Sequence, residues 1–391
     1  MGRIVKTFML IAAVSASFIL FQSCSRSISK IDKFQSHDNG WSMFRNNPSG
    51  GSADVSLAGI DSLIWTTGFR GLIYASPVIS DGLGVIPALD KRVYYFDPET
   101  GKGIGRIKTK SASSSSPAIA ENLLYIASET DDGRLRCINI NKGREVWVSK
   151  LGDVPAPIIL HDRTLLVGNY HGELFSINRF TGDQKWSFKA RQGIHGGACV
   201  ADEKVFFGSA DGHLYCLDLS DGSLIWEYDA GSAIMTAPAA DDACYVTTYG
   251  GGLLSIDKNS GELIWAFNTS AEIFSSPVLD DNAVYFGCND RNVYAISKES
   301  GEPIWILPTT SIVASTPLVG SDLLVIGCGD GTLHFVDKFT GKITRSLTVK
   351  GRIKSSPVYF RDKIYLASTD KRMYCFGRRS ADSANTTAHT P

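Results

Sequence analysis

The sequence predicts an all-β chain folded as an eight-bladed β-propeller of four-stranded antiparallel blades, and three observations carry that prediction. The first is a Gly-x-x-x-Trp motif recurring about every 40 residues, the step of a repeat architecture. It stands at Gly143/Trp147, Gly182/Trp186, Gly222/Trp226, Gly261/Trp265 and Gly301/Trp305, with degenerate copies at Gly101/Gly105 and Gly341/Arg345. The second is a proline marker in phase with it, at Pro77, Pro117, Pro157, Pro238, Pro277, Pro317 and Pro357, with Gly196-Gly197 filling the gap. The third lies at the ends of the repeat array. After residues 372–376 the chain turns polar and supplies no fourth strand, while Asp61-Ser62-Leu63-Ile64-Trp65 reads like Asp221-Gly222-Ser223-Leu224-Ile225-Trp226.

One repeat, residues 275–305, shows why each element forms. Ser276-Pro277-Val278-Leu279 is a short apolar run closed by the turn residues Asp280-Asp281-Asn282. Residues 283–288 and 293–297 are rich in β-branched and aromatic side chains, which suit a pleated surface. Lys298-Glu299-Ser300-Gly301 reads as a tight turn with Gly301 left-handed, and residues 302–305 form a fourth strand carrying Trp305. Four short strands without helical period make one meander sheet, the blade of a propeller. Proline cannot donate to a ladder, so its recurrence in the first strand suits an inner edge lining an axial channel. The strand at residues 61–65 then completes the eighth blade, and closure removes the free edges that invite aggregation.

Net charge is −1, so bulk electrostatics name no polyanionic partner. Arg3 and Lys6 precede an apolar run from Phe8 to Phe21, the layout of a secretory signal peptide. The run is shorter than the roughly 20 residues of a membrane span. It ends at Phe21-Gln22-Ser23-Cys24, which resembles a lipobox, so Cys24 is the expected lipidation site; a plain signal peptide with an incidental cysteine is the alternative. The expected division is a signal peptide at 1–23, a polar tether at 24–40, the propeller at 41–377 and a disordered tail at 378–391. Seven cysteines remain (Cys137, Cys199, Cys216, Cys244, Cys288, Cys328 and Cys375), an odd number without Cys-x-x-Cys spacing. They are expected as buried free thiols, small apolar fillers.

Each stretch ending at a tryptophan carries a longer pattern. Ser255-Ile-Asp257-Lys-Asn-Ser260-Gly261-Glu-Leu-Ile-Trp265 resembles the tryptophan-docking repeat Ala-x-Asp-x-x-Thr-Gly-x-x-x-Trp of the pyrroloquinoline quinone (PQQ) type propellers. Residues 176–186, 216–226 and 295–305 match similarly, whereas 335–345 keep Asp337, Thr340 and Gly341 but not the Trp. Trp41-x-x-Phe44-Arg45-x-Asn47 resembles an opening signature of that family. The resemblance implies docking, structural roles for Trp65, Trp147, Trp186, Trp226, Trp265 and Trp305, with no cofactor attached to them. The chain lacks the vicinal Cys-Cys pair and the Cys-x-x-Cys-His haem site of the quinoprotein dehydrogenases, so no cofactor is expected and PQQ least of all. Signal peptide, lipobox-like Cys24 and lone ring instead resemble the non-catalytic, BamB-like lipoprotein branch, which acts in outer-membrane β-barrel assembly.

That resemblance implies a non-enzymatic, lipid-anchored scaffold in the bacterial envelope, on the periplasmic face of the outer membrane. Its expected partners are envelope proteins, a β-barrel assembly component among them, and no nucleic acid. The alternatives are a PQQ-dependent dehydrogenase or a propeller binding a small ligand or carbohydrate. Fold alone does not choose between them. In a meander, inter-blade connections share a face with the loops joining second and third strands. That face carries a basic sector: Arg70, Lys91, Arg92, Arg106, Lys108, Lys110, Lys350, Arg352, Lys354, Lys371 and Arg372, with Phe69, Tyr74 and Phe274 as exposed aromatics. A docking patch for an acidic segment is the sharp reading, and ordinary solvation of exposed turns the bland one. The opposite face is acidic, with Asp81, Glu121, Asp202, Glu203, Asp241, Asp242, Asp280, Asp281 and Asp322. His171, His195 and His213 fall on loops of the third and fourth repeats, where they could touch, but without zinc-type spacing. The serine run at 113–116 has no nucleophile elbow, and Asp211-Gly212 and Asp330-Gly331 read as structural turns.

Overall fold

The computed structural model describes residues 40, 42–80, 82–109, 111–129 and 133–378. The expected signal peptide, the lipidation site Cys24, the tether except residue 40 and the C-terminal tail except residue 378 therefore lie outside the described residues, as do Trp41, Asp81 and Lys110. All described elements are strands, grouped in eight four-stranded antiparallel sheets that form an eight-bladed propeller. Blades 1 to 7 span 78–108, 118–150, 159–189, 199–229, 239–268, 278–308 and 318–348. Blade 8 takes three strands from the C-terminal end (Val358–Phe360, Lys363–Ser368, Arg372–Gly377) and its outer strand from the front, Ser62–Gly68. Thr66 and Thr67 pair antiparallel with Tyr374 and Met373, closing the ring as the sequence predicts.

Two details differ from the expectation. The prolines stand just ahead of the inner strands rather than inside them: Pro277 precedes Val278–Leu279. The missing N–H is thereby kept out of the ladder altogether. The outer strands also run past the tryptophan, as in Pro303–Pro308, because its indole packs against the neighbouring blade and ends nothing.

That packing is one contact used six times. Trp65, Trp147, Trp186, Trp226, Trp265 and Trp305 each lie on the left-handed turn glycine of the following blade, Gly101, Gly182, Gly222, Gly261, Gly301 and Gly341. A Cβ on any of these glycines would fall 2.5–2.8 Å from the indole. Each indole N–H also donates to a carbonyl of that same turn, at 2.8–3.2 Å. Within its own blade the tryptophan sits opposite a small residue of the third strand: Cys375, Cys137, Ser176, Cys216, Ser255 or Ala295. A β-bulge recurs beside this position in all eight blades and re-aims the side chain. All seven described cysteines are free and buried. Burial pushes the thiols of Cys137, Cys216 and Cys375 up to about 12, consistent with inert filling.

The two junctions without an indole are solved differently. In blade 1 the sizes are exchanged: Gly105 stands opposite Tyr95, which fills the apolar layer against blade 2. At the seam between blades 7 and 8 there is no turn glycine, because the last two strands of blade 8, Arg372–Gly377 and Ser62–Gly68, are not joined by a hairpin. Arg345 replaces the tryptophan, and its guanidinium donates to the Ile60 carbonyl at 3.4 Å and pairs with Asp61 at 3.6 Å.

The acidic face is largely spent on the ring itself. Glu121 pairs with Arg179 (2.8 Å), Asp202 with Lys258 (2.6 Å), Asp241 with Lys298, and Asp280 with Lys338 (3.1 Å), each across a blade boundary. The same four cations belong to residues whose carbonyls accept the preceding blade's indole. Asp322, facing the seam, accepts instead from Ser56 Oγ and the Leu57 N–H.

Replacing Trp226 by Ala should cost about 3–5 kcal/mol, the range for truncating a large buried aromatic, whereas Phe should recover most of it. Urea unfolding measures both, and a loss under about 1 kcal/mol for Ala would contradict the docking role. A second expectation concerns acid. The Lys258 ammonium holds the Asp202 carboxyl below its usual range, and donors of their own turns, Ser260 N–H first at Asp257 and Ser220 Oγ first at Asp218, do the same there. Depressed native values mean stability present above the unfolded carboxylate pKa of about 4 and lost as pH falls through the native values. Melting temperature should be insensitive to these groups near neutrality and fall below about pH 4.

Candidate interaction surface

Residues 42–61 form a belt across the acidic face before entering the ring. The Ile119, Val200, Ala240 and Leu279 N–H groups donate to Ser42, Pro48, Ser49 and Gly50 carbonyls at 2.8–3.2 Å. Ala53 and Val55 then bond blade 7, through Val319 and Ser321, both at 2.8 Å. The belt therefore visits the inner strands in chain order and closes that end of the channel. Its centre is the family-like signature seen in the sequence. Arg45 is buried, and its guanidinium donates to the carbonyls of Pro238 (2.7 Å), Pro277 (3.1 Å) and Ala237 (3.5 Å). Burial pushes its pKa down to about 10. Arg45 and Asn46 both hold φ of 59°, a costly conformation for such residues that the surrounding bonds must impose. Asn47 fixes the next turn: its Oδ1 accepts from Gly51 N–H at 3.0 Å and its Nδ2 donates to the Gly51 carbonyl at 3.1 Å.

The other mouth of the channel is a relay of hydroxyls. Backbone N–H groups of Ser76, Ala237, Ser276, Thr316 and Ser356 donate to the hydroxyls of Ser116, Ser276, Thr316, Ser356 and Ser76, at 3.0–3.3 Å. The last link joins blade 8 to blade 1. The cavity there holds about 180 Å³ and includes Met235, His195 and Lys354 on its walls, with no carboxylate among its described lining residues. Calcium, which takes six to eight oxygen ligands with carboxylates prominent, finds no such donor set, so the residues present do not fit a calcium-held quinone. Exposed aromatic rings surround the opening: Tyr170 against His195 (4.9 Å), Tyr249 against Phe274 (5.6 Å), and Tyr74 under the Lys354 ammonium (4.9 Å). Tyr170 and Tyr249 escape notice in the sequence because nothing there separates a rim aromatic from a core one.

Around this mouth the basic residues come together as one arc. The seventh-to-eighth connection bonds the blade 8 loop (Thr369 N–H to Arg352 carbonyl, 3.0 Å), and that loop bonds the eighth-to-first connection (Phe69 N–H to Lys371 carbonyl, 2.7 Å). That connection bonds the blade 1 loop (Leu89 N–H to Leu72 carbonyl, 2.9 Å), which holds the next (Thr109 N–H to Lys91 carbonyl, 2.9 Å). Lys350, Arg352, Lys354, Lys371, Arg372, Arg70, Lys91, Arg106 and Lys108 are exposed along this arc. Arg92 is half-buried and spent on Asp90 at 2.7 Å, while Arg372 reaches Asp370 only at 3.9 Å. Phe69 is a correction: it packs on Tyr94 at 4.9 Å and is half-buried, unlike Tyr74 and Phe274.

The histidines do not gather. His195 lies on Tyr170, His213 leans on its own Asp211, and the His171 carbonyl accepts from Lys189. Groups of three metal-ligating side chains are absent among the described residues. Asp211 and Asp330 accept the N–H of His213 (2.8 Å) and Thr332 (2.9 Å), so both are turn formers.

A family model described as outer membrane protein assembly factor BamB matches residues 55–228 and 223–390. The BamB of Nitrosomonas eutropha is 27% identical over 159 residues, 39% of this chain. The match spans 38% of that relative's own length. Among solved structures, BamB from Moraxella catarrhalis superposes with a TM-score of 0.66 at 17% identity, covering 81% of this chain and 99% of that one. Quinohemoprotein alcohol dehydrogenase from Comamonas testosteroni gives 0.73 at 13% identity, covering 90% of this chain and 82% of that one. At such identities both likenesses speak for the fold alone.

Substituting Arg45 by Ala should remove three hydrogen bonds and cost about 2–4 kcal/mol, since each bond from a charged donor is worth about 1.5–3 before water refills the site. Limited proteolysis should then cut within residues 42–57 of the variant first; wild-type cleavage kinetics there would contradict the plug.

Proposed function

From the premise that this chain belongs to the family of the outer membrane protein assembly factor BamB, we propose that it is a non-enzymatic scaffold of the bacterial envelope, acting in outer-membrane β-barrel assembly. The observation that carries this reading is the arc of exposed basic loops sewn together around the channel mouth. Exposed cations beside the aromatic rings of Tyr74 and Phe274 form a surface suited to an acidic protein partner, where charge steers encounter and aromatics anchor. On this reading Cys24 carries the lipid anchor, the ring hangs at the periplasmic face of the outer membrane, and the partner is a β-barrel assembly component. On this reading the channel does no chemistry, in keeping with Arg45 at one end and, at the other, a ring of hydroxyls with no carboxylate among its described lining residues.

Reversing Lys108, Arg352 and Lys354 to Glu together should lower capture of the assembly component from solubilised envelopes at least about tenfold, with the ring still folded. Undiminished capture would refute the arc as the docking surface. Added PQQ and calcium should give neither cofactor absorbance nor dye-linked alcohol oxidation; either signal would favour the dehydrogenase reading.

A further inference from the structure

The outer strand of blade 1, Gly103–Lys108, departs from its counterparts, and a groove lies against it. Gly105 stands where six other blades carry the docking tryptophan, and Gly103, two residues earlier, also lacks a side chain. Across the gap the wall is the end of the closing strand, Thr67 and Gly68, followed by Phe69 and Arg70. The groove encloses about 910 Å³, and its described lining includes Arg70, Arg106 and Lys108 but no carboxylate. All three cations are exposed. The strand is bonded on one side only, to Arg92–Phe96, so its other edge is open. A Cβ built on Gly103 would meet nothing within 4 Å, so another backbone can approach there closely.

We propose that this groove captures an extended acidic peptide segment of the scaffold's protein partner, added as a fifth strand to the edge of Gly103–Lys108. The inference rests on the scaffold reading above and names the partner's local chemistry. Main-chain hydrogen bonds to the open edge supply the geometry, as in other strand-addition complexes, and alternate side chains supply selectivity. Carboxylates on one face of the incoming strand meet Arg106 and Lys108, which share one face of their strand because they are two residues apart. Arg70 reaches over from the opposite wall. Neutral strands lose this attraction, and basic ones are repelled. Other blades have an open outer edge too, but there the tryptophan position is filled and two cations do not stand together: the pairs matching Arg106 and Lys108 are Ser187/Lys189, Glu227/Asp229 and Ala266/Asn268 in blades 3 to 5.

The test uses the purified full chain and three fluorescent eight-residue probes: one alternating Glu with Val or Thr, the same with Lys for Glu, and the acidic one N-methylated at alternate amides. Only the first should bind. Arg106→Glu with Lys108→Glu should weaken it at least about tenfold, and Gly103→Glu, which sits in open space, should do so without affecting melting. Equal binding of the N-methylated probe, or unchanged binding by the charge-reversed variant, would overturn strand addition at this edge. Capture of anionic phosphatidylglycerol vesicles without any peptide binding would overturn it in favour of a lipid-facing groove. The outcomes separate from those of the scaffold reading. Loss of envelope capture by the Arg352→Glu, Lys354→Glu chain with peptide binding intact locates the main docking surface elsewhere on the arc. Peptide binding in a chain that captures no assembly component refutes the scaffold reading alone.

Discussion

Everything in this molecule depends on an indole lying on a glycine of the next blade. The contact joins two requirements that sequence alone cannot display together: a glycine with positive φ to turn the hairpin, and the absence of its Cβ to receive a neighbour's ring. Gly261 and Trp265 belong to one motif, yet they never serve each other. Gly261 receives Trp226, and Trp265 reaches Gly301. A blade therefore buries its signature only when it has neighbours on both sides, which is why the array must close or end in a cap. Closure is supplied by Ser62–Gly68, whose Trp65 docks on Gly101 like the rest.

On the proposed reading, function enters where the repeat is broken. At the seam Arg345, Asp61 and Asp322 replace the indole and the inter-blade ion pairs, because Ser62–Gly68 joins Arg372–Gly377 there without a hairpin. One blade on, Gly105 replaces a tryptophan in a strand that lines a basic groove. The exposed cations of residues 350–354 and 371–372 flank the same seam. Positions that carry no docking indole cluster around the closing strand, where the proposed recognition surfaces lie. The cysteines belong to the opposite category: Cys137, Cys216 and Cys375 are small because an indole of their own blade lies across them.

The periodic elements were legible in the sequence, since Gly, Pro and Trp mark backbone conformations with few alternatives. Strand count, blade count and the closing strand all followed from them. The basic arc was legible as well, because it needs only the topology and the loop positions of residues such as Arg352 and Lys371. What stayed hidden depends on side-chain direction. Arg45 belongs to a recognisable signature, yet only the structure turns it inward onto three carbonyls. The acidic face reads as a charged patch until Lys258, Lys298 and Lys338 are seen reaching back across the blade boundaries. The histidines take separate partners instead, His195 the Tyr170 ring and His213 its own Asp211.

The most direct test of the account is native-state hydrogen exchange on the amides of Ser62–Gly68, compared with those of an internal outer strand, Leu224–Asp229. If the ring stands on its closure, both strands open only with global unfolding and share one protection free energy. If the closing strand instead exchanges by local detachment, several kcal/mol below the rest, while Leu224–Asp229 stays protected, then the blades hold without it. In that case the seam could not be the feature that fixes the ring and its basic arc.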